Sequence, residues 1–267
     1  MKGSVEINAY KLTNLNRAHH KSPVRGGGED EAVPLATRLL MVQKWSILWK
    51  SIIASSLEAT LFPYGRYIRA LDFRDLENLL EDEQFKVKIS KQFFSGPLKQ
   101  FYKYEMATRG NGRKYERLDI KSIVNAIGEV VTQHTPTLEM ISGRLTSSAL
   151  IRWVPRIPRL QELELYYGNA LVDELVGGSI HENCPNFNSL MIFSWYGQDR
   201  DHHFSQFVSS LRPHTLRKLE VINDIGASAE TFLALGGHCQ SLKELKICVS
   251  NDSLPHLSLL AGQFSRS

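Results

Sequence analysis

The chain has 267 residues, 42% of them apolar and 22% charged, the balance of an ordinary soluble globular protein. Thirty-two basic side chains against 28 acidic ones leave a net charge of +4, too little to demand a nucleic-acid or membrane partner. No apolar run approaches the roughly 18 residues of a membrane span, and MKGSVEINAYKLTN lacks the apolar centre of a signal peptide.

Residues 1–35 are polar, contain KSPVRGGGEDEAVP, and hold too few apolar side chains to offset the entropy of ordering them. A disordered leader is expected. Gly26–Gly28 is not a phosphate loop, because no strand pattern precedes it and no Gly-Lys-Ser/Thr follows. From residue 36 to 58 the chain turns densely apolar. Leu39, Leu40, Val42, Trp45, Ile47, Leu48, Trp49, Ile52 and Ile53 cover more than one helical face, which predicts a buried helix. Pro63, Tyr64 and Gly65 then make a turn into Ile68, Leu71 and Phe73.

That three-then-two spacing is the theme of the chain. It recurs in LQELEL (Leu160, Leu163, Leu165), FNSLMI (Phe187, Leu190, Ile192), LRKLEV (Leu216, Leu219, Val221) and LKELKI (Leu242, Leu245, Ile247). A weaker copy starts at Leu138 with Ile141. Periods of 20–30 residues mark units that bury their apolar faces only against their neighbours. Each triplet suits a short strand, and each is followed by a polar turn and a helical stripe. The stripes are Leu145, Ala149, Leu150 and Val154; Leu171, Leu175 and Val176; Phe204, Phe207, Val208 and Leu211; and Phe232 with Leu235. The fold class predicted is α/β: a leucine-rich-repeat solenoid with one curved parallel sheet and outer helices, preceded by a short helical segment.

Residues 59–137 hold the first repeat and a helical insertion, and residues 138–267 the main array. Within the insertion DLENLLED opens like a helix, ISKQFFSGPLKQFY reads as helical pieces broken at Gly96 and Pro97, and Leu118 to Val131 mark an amphipathic helix. ATRGNGRKYER, with Arg109, Arg113, Lys114 and Arg117, reads as a solvated basic loop, the alternative being a nuclear address or a nucleic-acid contact.

No catalytic residue, metal site or cofactor is indicated. There is no Gly-x-Ser-x-Gly, no His-Glu-x-x-His and no phosphate loop. Asp199, Asp201, His202 and His203 share one loop without a second ligand set, so Asp201 is expected to cap the following helix. Cys184 and Cys239 lie just ahead of strands and are expected to pack as small apolar groups, with Cys248 turned outward. If the triplet leucines point inward, their alternates line the opposite sheet face: Glu162, Glu164 and Tyr166, then Met191, Phe193 and Trp195, then Lys218, Glu220 and Ile222. With strands about 4.8 Å apart, Tyr166, Met191, Phe193 and Ile222 would join into one apolar ridge, the expected target-binding surface.

CPNFNSLMI and HCQSLKELKI resemble the cysteine-containing class of leucine-rich repeats, and WSILWKSI, LFPYGRYIRALDFRDL and ISKQFFSGPLKQF resemble fungal F-box/leucine-rich-repeat proteins. The resemblance covers about residues 40–262. It implies a non-enzymatic, cytoplasmic or nuclear substrate-recognition subunit of an SCF-type ubiquitin ligase. A Skp-type adaptor would be held by residues 36–58 through Leu40, Val42, Trp45, Leu48, Trp49 and Ile52, and a target protein by the concave strand face. Nucleic acid is not an expected partner. The family's opening Leu-Pro-x-Glu motif is missing before Leu39, so the N-terminal half of the F-box is not found. The alternatives left open are a repeat scaffold outside any ligase and a truncated F-box protein unable to hold the adaptor.

Overall fold

A computed structural model describes residues 4–5, 8–9, 35–108, 110, 112–223 and 225–249. Two short strands come first, β1 (Ser4–Val5) and β2 (Asn8–Ala9). Then follow α1 (Leu35–Ser56), β3 (Ala70–Asp72), α2 (Phe73–Glu81), α3 (Ser90–Phe93), and the hairpin strands β4 (Tyr104–Thr108) and β5 (Lys114–Leu118). After α4 (Ile120–His134), strands and helices alternate: β6 (Met140–Gly143), α5 (Ser147–Trp153), β7 (Glu162–Tyr167), α6 (Glu174–Asn183), β8 (Ser189–Ser194), α7 (Arg200–Ser210), β9 (Lys218–Val221), α8 (Ala229–Gly236) and β10 (Glu244–Val249). Two compact units result. Among the described residues, one holds β1, β2, Arg69–Leu71 and residues 136–249, and the other holds residues 35–68 and Asp72–Thr135.

The first unit is α/β, with its main strands in the order β10-β9-β8-β7-β6-β3. Pairs from β6 to β10 are parallel and in one register, so that Ile141, Leu163, Leu190, Leu219 and Leu245 lie side by side. All five are buried, as are the leading residues Leu138, Leu160, Phe187, Leu216 and Leu242.

A backbone clamp recurs at the entry to each strand. The carbonyl of Arg69 accepts from the N–H groups of Glu139 and Met140 at 2.7 and 3.0 Å. Glu139 does the same for Gln161 and Glu162, Gln161 for Asn188 and Ser189, Asn188 for Arg217 and Lys218, and Arg217 for Lys243 and Glu244. Five carbonyls therefore accept two N–H groups each from the next unit. The equivalence of Arg69 with the later positions places the Ile68–Leu71 stretch in the same series.

Helix starts follow local chemistry. Thr146, Asp173 and Ser228 accept from the N–H groups of Ala149, Leu175 and Glu230 at 3.3, 3.0 and 3.1 Å, capping α5, α6 and α8. Residues 1–35 were expected to be disordered, yet Ser4–Val5 and Asn8–Ala9 pair in parallel with β10, whose open backbone edge accepts any extended segment. Residues 10–34 and 250–267 lie outside the described residues.

The second unit is helical. Its α1 packs beside α2 and α4, and Trp49 meets Phe73 with ring centroids 6.3 Å apart. Phe85, Phe93, Phe94, Tyr102 and Tyr104 form a continuous aromatic chain with neighbouring centroids 4.6–5.2 Å apart. Asp72 and Asp119 cap α2 and α4 through the N–H groups of Arg74 and Ser122. The hydrogen bonds from Ser122 hold the Asp119 carboxyl below the usual carboxylate range. The expected solvated basic loop is instead the antiparallel hairpin β4–β5, in register from Tyr104↔Leu118 to Thr108↔Lys114. Arg109 and Asn111 at its turn lie outside the described residues.

Candidate binding surface

On the face opposite the buried leucines, the common register sets one side chain of each strand beside the next. The row just past the strand centres runs Arg144, Tyr166, Phe193, Ile222 and Cys248. Tyr166 and Phe193 stack with centroids 5.8 Å apart and planes at 25°. The Arg144 guanidinium sits 5.3 Å from the Tyr166 ring centre, close enough for a cation–π contact. Tyr167 meets Tyr166 edge-on at 5.2 Å, and Tyr196 lies 6.2 Å from Tyr167. Four rings and one guanidinium thus form a ledge at the carboxyl ends of β7 and β8. Tyr167, Tyr196 and Ile222 are exposed, and Tyr166 and Phe193 half-buried.

Several expected positions stand elsewhere. Trp195 was expected on this surface, but it is 1% exposed and meets Phe204 of α7 edge-on at 6.1 Å. The strand ends at Ser194, so alternation stops one residue earlier and Trp195 turns inward over Gly168. Met191 and Glu220 are only 3% and 4% exposed, which removes them from the accessible ridge. They occupy the middle row with Ser142, also buried, and Glu164, half-buried. Parallel strands crowd side chains in such a row, and a long side chain there is shielded by its neighbours. In the outer row Glu162 is exposed, while Lys218 is half-buried. Glu244 beside it forms an ion pair with Lys246. Arg144, Tyr167 and Tyr196 were not foreseen. Arg144 could have been found by carrying the register one residue past β6; Tyr167 and Tyr196 lie where strands end and periodicity is silent.

In the helical unit, α1 buries Val42, Ser46, Trp49, Ile53 and Ser56 at helical spacing of four and three. The expectation of an all-round buried helix is therefore corrected: Leu40, Ile47 and Leu48 are 50%, 64% and 48% exposed. Of the six residues expected to hold an adaptor, Val42 and Trp49 belong to the interior, Trp45 and Ile52 are half-buried, and Leu40 and Leu48 face outward. Beyond the helix, Leu61 is 97% exposed, with Phe62, Tyr64 and Tyr67 exposed near it. Beside α1 a groove of about 250 Å³ is lined by Gln43, Ser46, Ile47, Lys50, Gln92 and Phe93. The Lys50 ammonium is already engaged there, donating to the Gln92 carbonyl and the Ser95 hydroxyl.

Among the described residues the buried titratable groups are held one by one. Cys184 is buried with its sulfur 3.7 Å from the Ile157 carbonyl, and burial pushes its thiol up to about 12. Burial also raises the Cys239 thiol. His238 is buried, with Nε2 3.2 Å from the Val208 carbonyl; that oxygen only accepts, so Nε2 carries the proton. Burial lowers its basicity. Asp201 does not cap its own helix. Its carboxylate accepts from Ser228 N–H at 2.9 Å and from the Ser228 and Thr231 hydroxyls at 2.5 Å each, tying α7 to the start of α8. Among the described residues no three His, Cys, Asp or Glu side chains gather as a metal site would require, and no helix is long and apolar enough to cross a membrane.

No family model matches the chain, and neither a curated protein nor a solved structure matches it significantly.

Proposed function

We propose that the α/β unit is a leucine-rich-repeat solenoid of the cysteine-containing class and that it captures a target protein without performing chemistry. The observation that carries the reading is the aromatic ledge of Tyr166, Tyr167, Phe193 and Tyr196. Its rings project from a rigid, clamped sheet, and tyrosine and arginine on a pre-ordered support are the residues that dominate protein-binding energetics. Partner binding further fits an SCF-type ubiquitin ligase in the cytosol or nucleus, where the free thiols of Cys184, Cys239 and Cys248 stay reduced. In that setting the outward stripe of Leu40, Ile47 and Leu48 on α1 docks a Skp-type adaptor as an amphipathic helix enters a groove. The chain then contributes proximity between target and ligase.

A second reading keeps the target site and drops the ligase. The burial of Val42 and Trp49 favours it, since it withdraws two expected adaptor contacts. A pull-down with purified Skp-type adaptor separates the two. Binding that disappears in Leu40→Asp/Leu48→Asp supports the ligase subunit; no binding at micromolar concentration leaves the scaffold. Ubiquitin-ligase function and target capture are distinguished by Tyr166→Ala/Phe193→Ala, which should lose target and keep adaptor.

A further inference from the structure

The β4–β5 hairpin lies outside everything assigned above. It is an isolated two-stranded ribbon, and of its ten strand residues only Ala107 and Leu118 are not exposed. Such a ribbon is marginal as a structural element and stabilises little core, yet it carries large exposed apolar side chains. The register sorts its side chains into two faces. Tyr104, Met106 and Thr108 share one face with Lys114 and Glu116, which balances one base against one acid. The other face pairs Ala107 with Tyr115 and Glu105 with Arg117. The same alternation adds Lys103 before β4 and Arg113 before β5, both exposed. Three basic groups then stand against Glu105 and, one step past β5 opposite Lys103, Asp119, whose carboxylate is already engaged capping α4; one exposed tyrosine ring lies between two guanidinium groups.

Along a strand, alternate side chains are about 7 Å apart, so Arg113, Tyr115 and Arg117 make a linear sequence of cation, ring and cation. Arg117 donates to Glu105 at 2.6 Å, an exposed pair of the kind that contributes little and exchanges readily for another anion. A ring flanked by guanidinium groups suits a polymer that alternates a planar heterocycle with a phosphate. An acidic peptide would meet the cations and leave the ring unused. One end of the ribbon is held firm: Tyr104 packs edge-on to Tyr102 at 4.6 Å, and Tyr102 stacks on Phe94 at 4.8 Å, anchoring that end to the aromatic core.

We propose that the Arg113–Tyr115–Arg117 face of this hairpin binds single-stranded nucleic acid, stacking a base on Tyr115 and neutralising the flanking phosphates with the two arginines and Lys103. Recognition is by backbone charge and ring stacking, so it tolerates sequence.

Fluorescence anisotropy of the full chain with fluorescein-labelled oligo(U) and oligo(dT) tests it. Three phosphate contacts at about −0.7 each give a salt slope near −2, an affinity loss of about 20-fold between 50 and 200 mM salt. Arg113→Ala/Arg117→Ala should flatten that slope to about −0.7. Tyr115→Leu should weaken binding about ten-fold or more with the slope unchanged. All three side chains are exposed, so the variants should melt with the parent protein. Equal binding of the two probes, or a preference for oligo(U), supports the site; the second adds a 2′-hydroxyl contact. The assignment is overturned by no anisotropy change with either probe at about 100 µM, or by binding indifferent to the arginine variant. Binding that Tyr115→Leu leaves intact, or that polyglutamate displaces as well as unlabelled oligonucleotide does, overturns it too, the last pointing to an acidic protein instead.

Discussion

Gly168 and Trp195 offer a sharp probe of the sheet's interior. A methyl group built at Gly168 would meet Trp195 at 2.2 Å from Cδ2, 2.3 Å from Cε3 and 2.6 Å from Cγ. These distances lie far inside van der Waals contact, and the obstacle is the root of a rigid, fully buried indole already packed on Phe204. The ring cannot swing aside without displacing α7. Gly168→Ala should therefore fall at the upper end of overpacking costs, about 3 kcal/mol. For a chain of this size that corresponds to a fall in Tm of roughly 6–12 °C, read by circular dichroism. Trp195→Ala should cost about 3–5 kcal/mol through the cavity it opens. That cavity also makes room for the methyl, so the double variant should be more stable than the sum of the singles, by about 1–3 kcal/mol. Gly177 is the control. A methyl there meets mainly the Ser210 hydroxyl, which can rotate away, so Gly177→Ala should cost much less. An unchanged melting point for Gly168→Ala would put Trp195 outside the core and return it to the surface.

Asp201→Ala removes the acceptor shared by Ser228 and Thr231, and should destabilise by about 2 kcal/mol in urea unfolding; an unaffected midpoint would mean the α7–α8 tie is not formed. His238 gives a pH signature. Its basicity is lowered by burial, so the unfolded chain takes up the proton first, and its share of stability is complete above about pH 6.5 and declines as pH falls through that value. His238→Gln should flatten the pH dependence of the urea midpoint below pH 6.5, and an NMR titration placing His238 at or above 6.5 would contradict the assignment. Cys184, with its thiol pushed up to about 12, should resist a thiol reagent at pH 8 until the protein unfolds, whereas Cys248, half-buried on the sheet face, should label first. Prompt labelling of Cys184 followed by mass spectrometry would show that its burial is wrong.

The strands were readable because burial on one face leaves a periodic mark: the triplets at Leu160, Phe187, Leu216 and Leu242 each head a strand of the parallel sheet. The helices at Phe73–Glu81 and Ile120–His134 were equally plain, since each carries an apolar stripe behind a capping Asp. Tyr166, Phe193 and Ile222 followed from register alone. What escaped depends on contacts between residues distant in the chain. Alternation cannot say where β8 stops, so Trp195 was carried one residue too far. Met191 and Glu220 alternate correctly, but their burial is set by neighbours on adjacent strands. Asp201 has the composition of a local cap, while its partners lie 27 and 30 residues ahead. The hairpin at 104–118 was hidden because both its faces are wet, which erases the polar–apolar contrast that betrays a strand.

The twin-acceptor carbonyls have a bearing on how this chain could lengthen. Each ties one short peptide to the next and asks nothing of the sequence between them. Spanning residues 69 to 139 rather than 217 to 243 raises the closing entropy by only about 0.9 kcal/mol. The Asp72–Thr135 part of the helical unit is encoded in that longer excursion, and β6 to β10 still share one register. Growth by insertion is thus nearly free wherever the two ends of the excursion are pinned, and the site of pinning, rather than the length of the detour, is what selection has to guard.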